Sequence, residues 1–411
     1  MSLNEGKELS VVTEGTDPYA EVGVSATKKG VHEATKNLPK GLYPGAFCKI
    51  LPMPSSLPLG VVNKYVQIIH SDGVGTKSNV AYLAKVMGLP NYLDYFRALP
   101  QDALVMNTDD MACVGVIGED IYISNHIARN ANRISDTDIA EIIRGYSDFF
   151  NLMGQHGINL VDAGGETADV GSYTTTMGLD VTAVATIEKS KVIDCANIKP
   201  GQIIVGLASA GQCSYEKKYN SGIRSNGLTL AINALLSPYF RRYTEAMDLT
   251  IAKDKVFGGC FDLTDKLPGT SLTVAEALLS PTRTYLPVLK KIIEKGTNIS
   301  GMIHCSGGGL TKSINFGNNI RYVKNNLIEI PPMFQVIKNV REIDDRYMFQ
   351  TFNNGTGMEI IVPNVEDAAK IIMAAKEFNI EAKIIGYTEA SLDMANEVVI
   401  EHGGKVLTYK K

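Results

Sequence analysis

The chain repeats one pattern: a β-prone apolar run that ends abruptly in glycines and polar residues. Residues 65–69 lead into Asp72-Gly73-Val74-Gly75-Thr76-Lys77, residues 158–161 into Gly164-Gly165-Glu166, and residues 302–305 into Gly307-Gly308-Gly309. Around these runs the apolar positions switch to helical spacing. The pattern predicts helices from residue 78 to 86, across 93–118 with an interruption or start near Pro100, and from a Ser135-Asp136 cap to about residue 156. Further helices are predicted over 228–236, from Ser280-Pro281 to about 295, and over 332–340 and 366–377. Strands are predicted at 121–127, 178–187, 203–207, 358–362, 382–387 and 396–408. Residues 19–36 carry patchy helical spacing, while 41–60 and 241–272 read as irregular. Strands and helices alternate in both halves, so the fold class is α/β (α+β). The polar stretch at 188–190 divides the chain into a leader (1–18), an N-terminal domain (19–187) and a C-terminal α/β domain (188–411).

Length and composition agree with two ordinary domains: 411 residues, 45% hydrophobic and 20% charged. A net charge of −4 without a basic run argues against nucleic-acid binding. No apolar run reaches the ~18 residues of a membrane span, and the polar N-terminus reads as no secretory signal. The six cysteines are scattered without metal-ligand spacing, as expected of reduced thiols in the cytoplasm.

The candidate chemistry sits where strands end. A Gly-x-Gly turn between a strand and a helix aims backbone N–H groups outward, which suits phosphate. Asp72 is placed to hold a divalent cation and Lys77 to offset phosphate charge. The spacing is neither a Walker loop nor a dinucleotide fingerprint. In the long apolar helix, Asp109 and Asp110 project about 100° apart, so one acid is expected to face inward. The pair reads either as solvated acids near a helix end or as a metal or nucleotide ligand. His304, beside the triple glycine, reads as a structural histidine or as a phosphate or substrate contact. His70 is read as packed at its strand's end.

Taken in order, Asp-Gly-Val-Gly-Thr-Lys (72–77), Gly-Gly-Glu-Thr-Ala-Asp (164–169) and Ser-Asn-Gly (225–227) are followed by three more motifs. These are Ser-Pro-Thr-Arg-x-Tyr (280–285), His-x-x-Gly-Gly-Gly (304–309) and Phe-x-Thr-Phe-Asn-x-Gly-x-Gly-Met (349–358). Together they resemble the phosphoribosylformylglycinamidine cyclo-ligase (aminoimidazole ribonucleotide synthetase) family, from about residue 19 to 390. The resemblance implies an N-terminal mixed sheet that forms a barrel-like interface in a homodimer. It also implies ATP-dependent ring closure of formylglycinamidine ribonucleotide, a small-molecule nucleotide substrate, in purine biosynthesis. Mg2+ is the implied metal, with any K+ requirement open.

Carried onto this chain, the resemblance implies ATP contacts at Asp72, Gly73, Val74, Gly75, Thr76, Lys77, Asp110, Gly165 and Glu166, with Asp72, Asp110 and Glu166 as metal ligands. Substrate contacts are implied at Ser225, Asn226, Gly227, His304, Gly307, Gly308 and Gly309, and catalytic roles at Lys77, His304 and Arg224. The chain departs from the family where Arg224 replaces the usual histidine, a change that places proton transfer at that position in doubt. It departs also at Gly115-Val116-Ile117-Gly118, where the family has Gly-Ala-x-Pro, and in a longer loop over 211–222. Two other readings stand beside this one. The first is another ATP-using member of the superfamily, of selenophosphate synthetase or thiamine-phosphate kinase type. The second is a non-catalytic nucleotide-binding relative.

Overall fold

A computed structural model of the chain describes residues 17–24 and 29–411. All but the last two residues of the leader lie outside this range. Five strands form the first sheet: β1 (Ile50–Pro52), β2 (Tyr65–Gly73), β3 (Ile121–Arg129), β4 (Leu160–Asp169) and β5 (Met177–Glu188). Their spatial order is β1-β2-β5-β3-β4, with β3 and β4 parallel and the other pairs antiparallel. Alternation in β5 explains its central place. Leu179, Val181, Ala183, Ala185 and Ile187 are buried while the residues between them are less so. Helices Lys77–Val86, Tyr92–Ala112 and Asp136–Gln155 cover the buried face. The other face is open, with Ile69 and Tyr122 47% and 49% exposed. Within one chain the sheet is therefore open and does not close into a barrel.

The second sheet holds β6 (Ile203–Ala208), β7 (Gly301–His304), β8 (Ile320–Lys324), β9 (Thr356–Val362), β10 (Ala382–Ala390), β11 (Glu397–His402) and β12 (Lys405–Lys410). The order is β12-β11-β8-β10-β6-β9-β7. Every residue of β9 is buried, as expected of an interior strand covered on both faces.

Several predicted elements shift. Residues 396–408 form a hairpin, turned at Gly403-Gly404, in place of one strand. The helix expected from Ser280 begins at Leu286, because Thr282, Thr284 and Tyr285 spend polar groups on carboxylates described below. Pro100 neither starts nor breaks the helix Tyr92–Ala112, in which the lost N–H costs a single hydrogen bond. Strand β8 and the helices Leu59–Lys64, Val274–Leu278 and Asp345–Thr351 are additions to the sequence-based picture.

The two sheets are joined along the helix Tyr92–Ala112. Its Asp102, fully buried, accepts from Lys77 Nζ at 2.6 Å, from Thr282 N at 2.9 Å and from the Thr282 hydroxyl. Lys77 also donates to Ser280 O at 2.7 Å. Burial pulls the Lys77 ammonium below its ordinary pKa, and the Asp102 charge opposes that fall. Removing one member of such a pair strands the other in the interior.

Asp102→Ala should therefore lower the unfolding free energy by about 3–5 kcal/mol in urea titrations. Asp148→Ala, which breaks an exposed pair with Arg97, should cost under about 1 kcal/mol. Equal losses from the two variants would contradict the buried-joint reading.

Candidate active site at the junction of the two sheets

One and two turns after the midpoint of the same helix stand further buried polar groups: Asn107, Asp109 and Asp110. Both aspartates are inside, contrary to the expectation of one inward acid, because each has its own partners on a different side of the helix. Asp109 accepts from the Thr284 hydroxyl at 2.8 Å and from Tyr285 N at 2.9 Å. Asp110 Oδ1 meets His304 Nδ1 at 2.5 Å, and Asp110 Oδ2 lies 3.4 Å from His70 Nε2. His70 Nδ1 in turn meets Asn107 Oδ1 at 2.9 Å, and Asn107 Nδ2 donates to Asp72 O at 3.1 Å. A hydrogen-bonded path thus runs from the glycine loop to the histidine of β7. His70 is part of it and is more than packing at a strand end.

Environment separates the two carboxyls. Burial pushes Asp109 from 3.8 up to about 7, against the opposing charge of Arg224 and its two hydrogen bonds. Burial acts on Asp110 as well, but the Lys312 ammonium and the two histidines hold it far below the usual carboxylate range. Burial and the Arg224 charge bring His304 from 6.5 down to about 4, with Asp110 opposing. For His70 burial also acts downward, yet the bond and charge of Asp110 leave it raised.

The segments predicted to bind substrate converge here. A side chain on Gly309 would come within 2.3 Å of Phe352 O, so the triple-glycine turn packs directly on the end of the Phe349–Phe352 motif. Asn226 Nδ2 lies 3.5 Å from where a Gly307 side chain would start, which sets residues 225–227 beside that turn. Arg224 reaches His304 Nε2 and donates to Gly357 O at 2.9 Å. Arg224 Nε and Asn226 Oδ1 are buried without a hydrogen-bond partner among the described residues.

Other predicted residues stand differently. Gly73 N donates to Asp72 Oδ1 at 2.7 Å and Val74 N to Leu179 O at 2.9 Å, so two loop amides already have partners. Thr76 Oγ1 lies 3.2 Å from Thr229 Oγ1. Lys77 is enclosed with Asp102, away from solvent. Gly165 and Glu166 lie on β4, where Glu166 is in register with His126 of β3 and, through it, with Asp180 of β5 and Gly73 of β2. Three strand spacings separate Glu166 from Gly73, roughly 14 Å. The structure therefore does not bring Glu166 to Asp72 and Asp110, and the described residues contain no group of three such ligands.

Two contributors escaped the sequence reading. Asp102 precedes Asp109 by seven residues, two helical turns, and that spacing was a usable signal. Lys312 bonds to the Ser306 hydroxyl, lies 4.6 Å from the Phe47 ring centre and acts on Asp110. No local pattern announces it. The long loop over 211–222 is tied down by Glu216, which accepts from Arg283 Nε at 2.9 Å, from Arg283 Nη2 and from Cys213 N at 2.9 Å.

A family model described as AIR synthase related protein, N-terminal domain, matches residues 59–187, and its C-terminal-domain counterpart matches 261–395. The phosphoribosylformylglycinamidine cyclo-ligase of Methanococcus maripaludis is 33% identical over 351 residues, 83% of this chain and 84% of its own. The chain belongs to the AIR synthase family. The cyclo-ligases of Methanocaldococcus jannaschii and Citrifermentans bemidjiense are 32% and 31% identical, each over 84% of this chain and 84% and 85% of their own. Among solved structures, the fold resembles Thermotoga maritima PurL complexed with FGAR, with a TM-score of 0.52 at 13% identity. That match covers 95% of this chain, which spans about half (51%) of PurL.

Opposed titrations give a pH test. Asp109, raised from 3.8 to about 7, contributes stability that is complete below 3.8 and lost as pH rises through about 7. His304, lowered from 6.5 to about 4, contributes stability present above 6.5 and lost as pH falls towards about 4. The slopes cancel between those limits in the parent protein. Asp109→Asn removes the first, so its urea midpoint should fall on acidification while the parent's stays nearly level. Parallel curves would contradict the assignment.

Proposed function

We propose that this chain catalyses ATP-dependent closure of formylglycinamidine ribonucleotide to aminoimidazole ribonucleotide, releasing ADP and phosphate. The observation that carries the reading is the convergence of Asp110, His304, residues 225–227 and residues 307–309 at one junction, in a chain alike along most of its length to cyclo-ligases.

In this reading ATP lies over the loop 72–77. The formamide oxygen attacks the γ-phosphate, and ADP leaves. The amidine nitrogen then attacks the activated carbon, loses a proton, and the oxygen departs with phosphate. Such a reaction asks the protein chiefly for positioning and charge neutralisation. Asp72 and Asp110 both act on His70, and two carboxylates with nucleotide phosphates suffice for Mg2+. They are the residues that would hold it, and when bound it would neutralise the phosphate charge. Glu166 is outside this set within one chain. With Lys77 enclosed, Lys312 is the ammonium placed to meet anionic groups near the glycine turn. His304 and Asn226 would border the reacting amide, and the unpaired Asn226 Oδ1 is suited to one of its N–H groups.

The open face of the first sheet, with Ile69, Tyr122 and the edge strand β4, supports a homodimer formed through that sheet. Two domains, 19–187 and 188–411, and a cytoplasmic location complete the proposal. No helix among the described residues is long and apolar enough to cross a membrane.

Incubation with Mg-ATP and formylglycinamidine ribonucleotide should give aminoimidazole ribonucleotide and ADP in equal amounts, and Asp72→Asn should slow turnover by ~10²-fold or more. ATP binding without product would sink the assignment. By light scattering the parent should be a dimer and Tyr122→Lys a monomer. Tyr387→Lys, on β10 of the second sheet, should leave the dimer intact. A monomeric parent would rule the interface out.

A further inference from the structure

Arg224 is 2% exposed, yet it makes no ion pair with a carboxylate among the described residues. Its backbone sits at φ 61°, in the left-handed region that side-chain-bearing residues rarely adopt. Such a conformation persists only where the surroundings hold it. Here both ends of the guanidinium are held, by Gly357 O at 2.9 Å and by His304 Nε2, and the Tyr285 ring centre lies 5.6 Å away. Position 357 must be glycine for this arrangement, since a side chain there would come within 2.4 Å of Arg224 Nη1 and 2.0 Å of the Tyr285 hydroxyl.

The chemistry of the contact fixes a proton. A guanidinium has donors and no acceptor. His304 Nε2 must therefore accept, which leaves the imidazole proton on Nδ1, donated to Asp110 Oδ1 at 2.5 Å. Arg224 thus reaches Asp110 through an imidazole, while its charge acts on Asp109 as well. We infer that Arg224 is a positioning residue: with Asp110 holding the proton on Nδ1, Arg224 pins the opposite ring nitrogen of His304, fixing the ring's orientation and so which oxygen of Asp110 faces His70 and the nucleotide loop. The consequence for turnover rests on the cyclo-ligase reading; the tautomer does not.

Two measurements separate those claims. In protein carrying 15N-labelled histidine, long-range 1H–15N correlation near neutral pH should show His304 as the Nδ1–H tautomer alone. In Arg224→Met the Nδ1–H tautomer should persist, because the Asp110 carboxylate only accepts, while the Nε2 resonance should shift towards that of an imidazole nitrogen without a donor; Arg224→Lys, which restores one donor, should move it back. With formylglycinamidine ribonucleotide and ATP, Arg224→Met should lower kcat by about 100-fold with substrate KM little changed, and Arg224→Lys should recover part of the loss. An Nε2–H tautomer in the parent overturns the inference, and so does a folded Arg224→Met with unchanged kcat and unchanged Nε2 resonance. If Arg224→Met does not fold, the parent and Arg224→Lys spectra decide. A parent without cyclo-ligase activity but with the Nδ1–H tautomer would reject the proposed reaction and leave the pinning of His304 standing.

Discussion

The row of buried carboxylates on the helix Tyr92–Ala112 is the constraint on which the rest of the molecule depends. Asp102, Asp109 and Asp110 are buried, and each takes at least one donor from the other half of the chain. Thr282 serves the first, Thr284 and Tyr285 the second, and His304 the third. An ionised acid without such partners would be too costly to bury. The acids therefore specify how the second sheet docks on the first, and that docking links His304 to the strand end of Asp72 through Asp110, His70 and Asn107.

This use of charge changes what the loop itself contributes. In the family resemblance, the lysine after Gly-x-Gly-Thr stands for phosphate recognition. Here Lys77 is spent on Asp102, and the ammonium whose charge acts on Asp110 is that of Lys312. Likewise the loop amides of Gly73 and Val74 are already paired within the strand end. Ligand entry to this loop would exchange those hydrogen bonds for bonds to phosphate, a trade with a small net free energy. Arg224, in the place of a histidine, is accommodated because His304 can accept from it while donating to Asp110.

Much of this was legible in the residues. The glycine-punctuated strand ends at 72–77 and 304–309 and the helical spacing of 136–155 correspond to elements of the fold, since local turn chemistry and periodicity determine them. Asp110 and His304 could be named as site residues, although not as partners, because residues 194 apart carry no mutual signal. The expectation that one of Asp109 and Asp110 would face inward failed for a similar reason. Helical geometry separated their directions, but partners on two sides of the helix made both directions interior. The start of the helix at Leu286 was missed because Ser280-Pro281-Thr282 is a fair cap by local rules, and tertiary hydrogen bonds to Asp102 overrode it. Glu166 was grouped with Asp72 from motif content alone, which is blind to the three strand spacings that sheet order puts between them.

If the acid row is the joint, the two sheets cannot lose structure independently. Residue-resolved hydrogen exchange across a urea series tests this most directly, with amides of β2 and β5 compared against those of β6 and β9. Both sets should lose protection together at one urea concentration, and Asp102→Ala should separate them into two transitions. Two transitions already present in the parent protein would contradict it.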